Sequence, residues 1–370
     1  MKPLIGILTA DGGNLFRGNH ANFIDLIRTG RKRKHRIIVV TPRSFSADFR
    51  SVDGFQLSEK TGIPTWRRIH CAIPSVIYNR LPNRSIENQS AVKYLLTKLN
   101  QLPDVQLFNP HFFNKWDLFQ FLKQAPSLAH LLPETVPYTN PKSLQTMLQK
   151  YPILFAKPVN GKAGVGMIRI QRNRNNFLCI HQTKQQKRRY HATHQATIER
   201  IVQRLIGNQS YILQQAIPLS KYKGRPYDLR ILAQKQLDGN WGISGIGIRI
   251  AGKNAISTHV PMGGKLGNRK QIINHCFGNR SSIIENRIKE TALSIANAIE
   301  QASGETLGEM SLDLGIEQNG RLWFFEANAK PMKFDEPEIR KRSLNRIIDY
   351  AEYLREDALR KDVAYGNIEM

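Results

Sequence analysis

At 370 residues the chain exceeds what a single hydrophobic core usually supports, so two or three lobes are expected. A hydrophobic fraction of 41% with 23% charged residues excludes a disordered chain, and no apolar run reaches the roughly 18 residues of a membrane span. The 55 Lys and Arg against 29 Asp and Glu leave a net charge of +26, a positive field that draws anions.

In chain order, Leu4–Leu8 reads as a strand, His20–Thr29 as a helix, Arg36–Thr41 and Ser75–Tyr78 as strands, Glu87–Leu99 as a helix and Val105–Phe108 as a strand. Alternation of this kind predicts an α/β lobe ending near residue 110. Helices follow at Asn114–Gln124 and from Pro141, the latter capped by Asn140. Strands are predicted at Ile153–Lys157, Met167–Ile170, Tyr211–Gln215, Leu229–Gln234 and Trp241–Ile250. After them come a long helix at Ile283–Gln301, strands at Ser311–Ile316 and Leu322–Ala327, a closing helix at Glu338–Leu354 and a frayed tail. The apolar stretch at the N-terminus is too short for a secretory signal, so a cytoplasmic protein is expected. Cys71, Cys179 and Cys276 show neither disulfide nor zinc spacing, and the basic runs carry no nucleic-acid-binding signature, so no specific nucleic acid is expected as a partner.

The stretch from Lys157 to Gly166 carries Gly161, Gly164 and Gly166 but fits neither a Walker A loop nor a dinucleotide fingerprint, because a strand follows it. It reads as a Gly-rich hairpin whose backbone N–H groups can approach phosphate oxygens, with Lys157 as a point charge at its start.

Asn319-Gly320 between two apolar runs predicts a two-residue hairpin turn, with Gln318 opposite Arg321 and Asp313 opposite Glu326. Asn328 shares their face. Two carboxylates at about 5 Å repel by roughly 3 kcal/mol at an effective dielectric of 20. A cation reverses that sign, and an all-oxygen set of Asp313, Glu326 and Asn328 suits Mg²⁺ completed by phosphates. The ligand expected is therefore Mg–nucleoside triphosphate.

The order of Lys115, Lys157 with its glycines, Tyr211–Ile217, Asp228-Leu-Arg230, Asp313 and Glu326-Ala-Asn328 resembles the ATP-grasp superfamily. Tyr78–Arg84, Asn114-Lys115-Trp116 and Phe325–Pro331 look more closely like its YheC/YheD group, described as endospore coat-associated. The resemblance implies an α/β (α+β grasp) fold: a pre-grasp lobe at 1–110, a two-lobed grasp domain at 111–355 divided near 208, and a tail at 356–370. It implies ATP and Mg²⁺ as cofactors, with Lys115 and Lys157 on the phosphates, Gln214, Gln215 and Ile217 at the adenine, Asp228 beside them, and Arg230 and Arg249 as charge-neutralising catalytic residues. The pre-grasp lobe would lend Asn79, Arg80 and Arg84 to the substrate, and His259, Gly263 and Gly264 stand where related ligases carry an Asn-x-His-x-Gly-Gly stretch. Here the Asn is His259 and the His is Pro261, a departure that touches the second substrate and leaves the ATP site intact.

The activity implied is a carboxylate–amine or carboxylate–thiol ligase working through an acyl-phosphate, with a phosphotransferase or a non-catalytic coat protein as alternatives. The charge favours an acidic substrate, and the family name implies spore-coat components as partners. The basic stretch around Gln185–Gln195 reads as an elaborated loop over the cleft.

Overall fold

The computed structural model describes residues 2–59, 62–159, 161, 164–183, 186–253, 255–258 and 263–366, with side chains as far as Lys361. The first lobe runs β1 (Ile5–Leu8), a small ribbon of β2 (Ala10–Asp11) and β3 (Phe16–Arg17), α1 (His20–Lys32), β4 (Ile37–Val40), β5 (Ser51–Ser58), β6 (Thr65–Ala72), β7 (Val76–Asn79), α2 (Arg84–Glu87), α3 (Ser90–Gln101) and β8 (Gln106–Phe108). Its sheet has the order β6-β5-β4-β1-β7-β8. β1, β4 and β7 pair in parallel and are buried along their whole length, as central parallel strands covered on both faces must be. α3 presents Val92, Leu95, Leu96 and Leu99 to one face, and α1 presents Phe23, Leu26 and Ile27 to the other. The β5–β6 hairpin was not anticipated: β6 is a polar edge strand with no apolar run to reveal it.

The second lobe follows α4 (Lys115–Gln124) and runs β9 (Thr135–Pro137), α5 (Pro141–Lys150), β10 (Ile153–Pro158), β11 (Ile168–Arg172), β12 (Phe177–Gln182), β13 (Lys187–Ala192), α6 (Gln195–Ile206) and β14 (Tyr211–Gln215). Asn140 caps α5, its side chain accepting from the Ser143 N–H, with Pro141 at the first position. The sheet, in the order β13-β12-β11-β10-β14-β9, is antiparallel, and α5 and α6 cover one face through Leu144, Met147, Ile198 and Val202. The stretch expected as a basic loop is instead largely β13, an edge strand in six-residue register with β12, and α6 follows it. Its Lys and Arg residues hide the strand from a hydropathy reading; cross-strand pairing supplies it.

The third lobe runs β15 (Lys221–Tyr222), β16 (Arg225–Lys235), β17 (Trp241–Ile250), β18 (Lys265–Gly267), α7 (Arg269–Phe277), α8 (Ser281–Ser303), β19 (Glu309–Ile316), β20 (Leu322–Asn328) and α9 (Pro337–Gly366). Its main path is β18-β17-β16-β19-β20. Ile288, Ala292, Ile295 and Ile299 of α8 and Leu118, Phe119 and Leu122 of α4 pack on this sheet. α9 returns to the first lobe, burying Leu344, Ile348 and Ala351 beside Ile5 and Tyr78, and it continues as helix to Gly366 where a frayed tail is expected. Between the lobes, buried Glu309 accepts hydrogen bonds from the Tyr78 hydroxyl, from Arg80 at 3.0 Å and from Gln234 at 3.2 Å. No helix among the described residues is long and apolar enough to cross a membrane.

Candidate functional site

β19 and β20 form the floor of a cleft between the second and third sheets. Asp313 does stand opposite Glu326, but by a different route from the one expected. The turn is longer than two residues: Glu317 donates to the Arg321 carbonyl at 2.9 Å, Gly320 donates to Glu317, and Gly320 has a φ of +90°. Three residues, 318–320, therefore form the loop, and Ile316 pairs with Leu322. A register shift between Asp313 and Leu314, with Phe325 as the extra residue, restores the predicted pairing from Asp313 inward. Asn328 stands opposite Ser311 and donates its side-chain amide to Glu326 at 3.0 Å.

Side-chain cations meet these carboxylates. Lys115, in the first turn of α4, donates to Glu326 at 2.6 Å; Asn114 caps that helix by accepting from the Trp116 N–H. Asp228 of β16 pairs with Arg249 across β17, and the two form a two-point ion pair at 2.9 and 2.6 Å. The same guanidinium lies 2.9 Å from Asp313, and Thr258 donates to Asp228 at 2.6 Å. Burial opposes the charge on Arg249, but Asp313 and Asp228 outweigh it and raise its pKa. Arg230 lies 3.8 Å from Asp313 and over the Phe334 ring. The cation or proton expected between Asp313 and Glu326 is thus partly supplied by protein side chains.

Lys157, near the end of β10, donates to the Gln214 side chain and lies over the Phe325 ring at 5.4 Å. Desolvation and then the neighbouring Lys115 push its pKa down to about 8, against the pull of Glu326, Asp313 and Asp228. The hairpin between β10 and β11 carries Gly164 and Gly166 with φ of +76° and +80°, and a Cβ at Gly161 would meet the Pro158 side chain at 2.4 Å.

A cavity of about 590 Å³ is lined by Lys115, Lys157, Gly161, Gly164, Gln214, Gln215, Ile217, Asp228, Arg249, Asp313 and Glu326. That size suits a small-molecule site. Arg230 and Asn328 contact the lining residues Asp313 and Glu326, and Gly166 lies between the lining residues Val165 and Met167 and accepts from the Tyr211 hydroxyl. Phe155, Met167, Ile180, Leu219 and Phe325, which motif reading missed, give the cavity an apolar wall. Period-two alternation was the available signal for Phe155 on β10 and Ile180 on β12, whereas Met167, Leu219 and Phe325 lie outside those strands.

The first-lobe candidates are placed differently. Asn79 is fully buried, donating to the Pro110 carbonyl at 2.7 Å and accepting from the Leu81 N–H. Arg80 is held by Glu309 and donates to the Pro331 carbonyl at 2.9 Å. Both therefore have a structural explanation inside the fold. Arg84 donates to the Phe113 carbonyl, and burial lowers its pKa against the pull of Glu326 and Glu87. Gly263 and Gly264 precede β18, with Gly263 at a φ of +92°; His259 lies outside the described residues.

Among the described residues no three His, Cys, Asp or Glu side chains gather as a metal cage. The donor set still fits Mg²⁺: Asp313 is 3% exposed, and its Oδ1 has no hydrogen-bond partner, an oxygen left over in a buried site. Sparse protein ligation completed by phosphates is the usual manner of Mg²⁺.

A family model described as YheC/D like ATP-grasp matches residues 104–354. Endospore coat-associated protein YheD of Bacillus subtilis (strain 168) is 27% identical over 369 residues, covering 96% of this chain and 80% of that protein. Endospore coat-associated protein YheC of the same organism is 21% identical over 296 residues, covering 80% of each. The structure of the D-alanine-D-alanine ligase from Coxiella burnetii superposes with a TM-score of 0.56 at 11% identity, covering 100% of this chain and 99% of that one, a likeness of fold.

Proposed function

This chain belongs to the YheC/D-like ATP-grasp family, and on that premise we propose that it binds Mg–ATP in the cleft and works as an ATP-dependent carboxylate–amine or carboxylate–thiol ligase. The observation that carries this reading is the buried Oδ1 of Asp313, which accepts no hydrogen bond and has only the Arg230 guanidinium at 3.8 Å among the described residues, opposite Glu326 in a cleft where Lys115 and Lys157 converge.

In this reading Asp313, Glu326 and Asn328 hold Mg²⁺, Lys115 and Lys157 take the phosphates, and Gly161, Gly164 and Gly166 let backbone N–H groups approach them. Gln214, Gln215 and Ile217 border the adenine. Mg²⁺ held by these residues would supply charge neutralisation to the phosphates. A substrate carboxylate oxygen attacks the γ-phosphorus, the bond to the β-phosphate oxygen breaks and ADP leaves. An amine or thiol then attacks the acyl carbon and expels phosphate. Arg230 offsets charge on the transferring phosphoryl group, and Arg249 fixes Asp228 and Asp313 in place. Residues 1–110 serve as the pre-grasp lobe and 111–355 as the grasp domain. By its likeness to YheD and YheC, the protein would act at the endospore coat.

The test is ADP release from Mg–ATP with pooled carboxylates, amines and thiols, with products read by mass spectrometry. A new amide or thioester supports the ligase. A phosphorylated product indicates a phosphotransferase. Nucleotide binding with no ADP under any pool indicates a non-catalytic coat component.

A further inference from the structure

The two ends of the cleft differ in charge. At the inner end Asp228, Asp313 and Glu326 face Lys115, Lys157, Arg230 and Arg249, and among the described lining residues these are the only carboxylates. At the outer end the cavity wall includes Arg169 and Arg189. Strand register explains why both face inward. Gln214, Phe155, Arg169, Ile180 and Arg189 form one rung across β14, β10, β11, β12 and β13, each pairing with the next. Directly opposed residues share a face, so all five lie on the cleft side. The alternate residues Ala156, Ile170 and Cys179 lie in the helix-covered core.

Arg169 and Arg189 therefore flank Ile180, with their strands two spacings, roughly 10 Å, apart. Among the described residues neither has a carboxylate partner. Burial lowers the pKa of Arg169 with nothing to offset it. A partly desolvated, unpaired guanidinium is costly, so Arg169 lacks a counter-ion, and Arg189, which is exposed, adds a second positive charge to the same wall. β13 is also the open edge of its sheet, and Arg189 on it is exposed, so this part of the cavity wall opens to solvent. An anion seated here could extend past the rim.

We propose that Arg169 and Arg189 form a second anion-binding station at the outer end of the cleft, separate from the metal–phosphate end, which holds an anionic group of the molecule that joins ATP there. This rests on the reading of the inner end as the nucleotide site. Guanidinium groups take carboxylate and phosphate alike, so the anion has two candidate sources: a carboxylate of an acidic second substrate, or a phosphate group.

The experiment uses the full chain saturated with Mg–ADP and titrates triglutamate or inorganic phosphate by calorimetry. The variants are Arg169→Gln, Arg189→Gln and the double variant, each checked for an unchanged melting curve. The proposal expects at least tenfold weaker binding of one probe to the double variant, with Mg–ADP affinity changed less than twofold. Loss confined to triglutamate identifies a carboxylate source, and loss confined to phosphate identifies a phosphate source. The proposal is overturned if neither probe binds the wild-type complex, or if the variants bind both probes normally. It is also overturned if Mg–ADP affinity falls tenfold in the double variant, because the arginines then hold the nucleotide itself. Failure of the wild-type chain to bind Mg–ADP would instead defeat the nucleotide reading, and the probes titrated alone would still judge the arginines.

Discussion

Lys115 on α4 and Glu326 on β20 form an ion pair at 2.6 Å, with 16% and 19% of their side chains exposed. It joins the candidate phosphate-binding Lys to the candidate metal-binding carboxylate before any ligand arrives. In the proposed reading, nucleotide entry exchanges this contact for Lys–phosphate and carboxylate–metal contacts.

Glu326→Gln should therefore separate stability from function. The amide still accepts a hydrogen bond from Lys115, so neither group is left without a partner. The denaturation midpoint without ligand should move little. Wild-type protein at 100 times Kd should gain about 2.7 kcal/mol from Mg–ATP, and the variant should lose most of that gain. Parallel melts with and without Mg–ATP measure both. A large loss of apo stability with the ligand shift intact would make Glu326 a structural partner.

Arg249→Met should behave in the opposite way. Arg249 is 3% exposed and bridges Asp228 and Asp313. Its removal leaves two buried carboxylates without their ion-pair partner, with Arg230 at 3.8 Å from Asp313 and the Lys157 charge nearby. Breaking a buried pair by removing one partner costs about 3–5 kcal/mol. Urea denaturation should show that loss, and a change under 1 kcal/mol would contradict the clamp.

Lys157 predicts a pH signature. Its pKa of about 8 in the folded chain lies below the ordinary 10.5. Between those values the unfolded chain binds more protons, so this group makes stability rise with pH across that window. Phosphates favour the charged amine, so nucleotide affinity should fall as pH rises above about 8. Binding near pH 8.5 should also take up protons. Calorimetry in buffers of different ionisation enthalpy reads that uptake, and Lys157→Ala should abolish it.

Much of this site was legible because it lies on strands whose alternation and order are local properties. The Asp313–Glu326 pairing was reached although the loop was misread: a third loop residue and the extra Phe325 cancel in the count. Nothing in the sequence separates that outcome from an uncompensated slip. The cavity wall was less legible because Arg169, Ile180 and Arg189 come together only through the register of β11, β12 and β13, and a basic edge strand does not read as a strand. Asn79 and Arg80 were drawn to the substrate by motif likeness; their burial against Pro110 and Glu309 depends on contacts with distant segments.

The central claim is that Asp313 and its neighbours hold Mg²⁺ on a nucleotide. Its most direct test is calorimetric titration of a non-hydrolysable ATP analogue onto wild-type protein and Asp313→Asn, each with Mg²⁺ and with chelator. The account predicts that Mg²⁺ tightens wild-type binding at least tenfold and that Asp313→Asn removes this gain while binding in chelator stays within about threefold. Equal affinity of the two proteins in Mg²⁺, or wild-type binding indifferent to Mg²⁺, would contradict it.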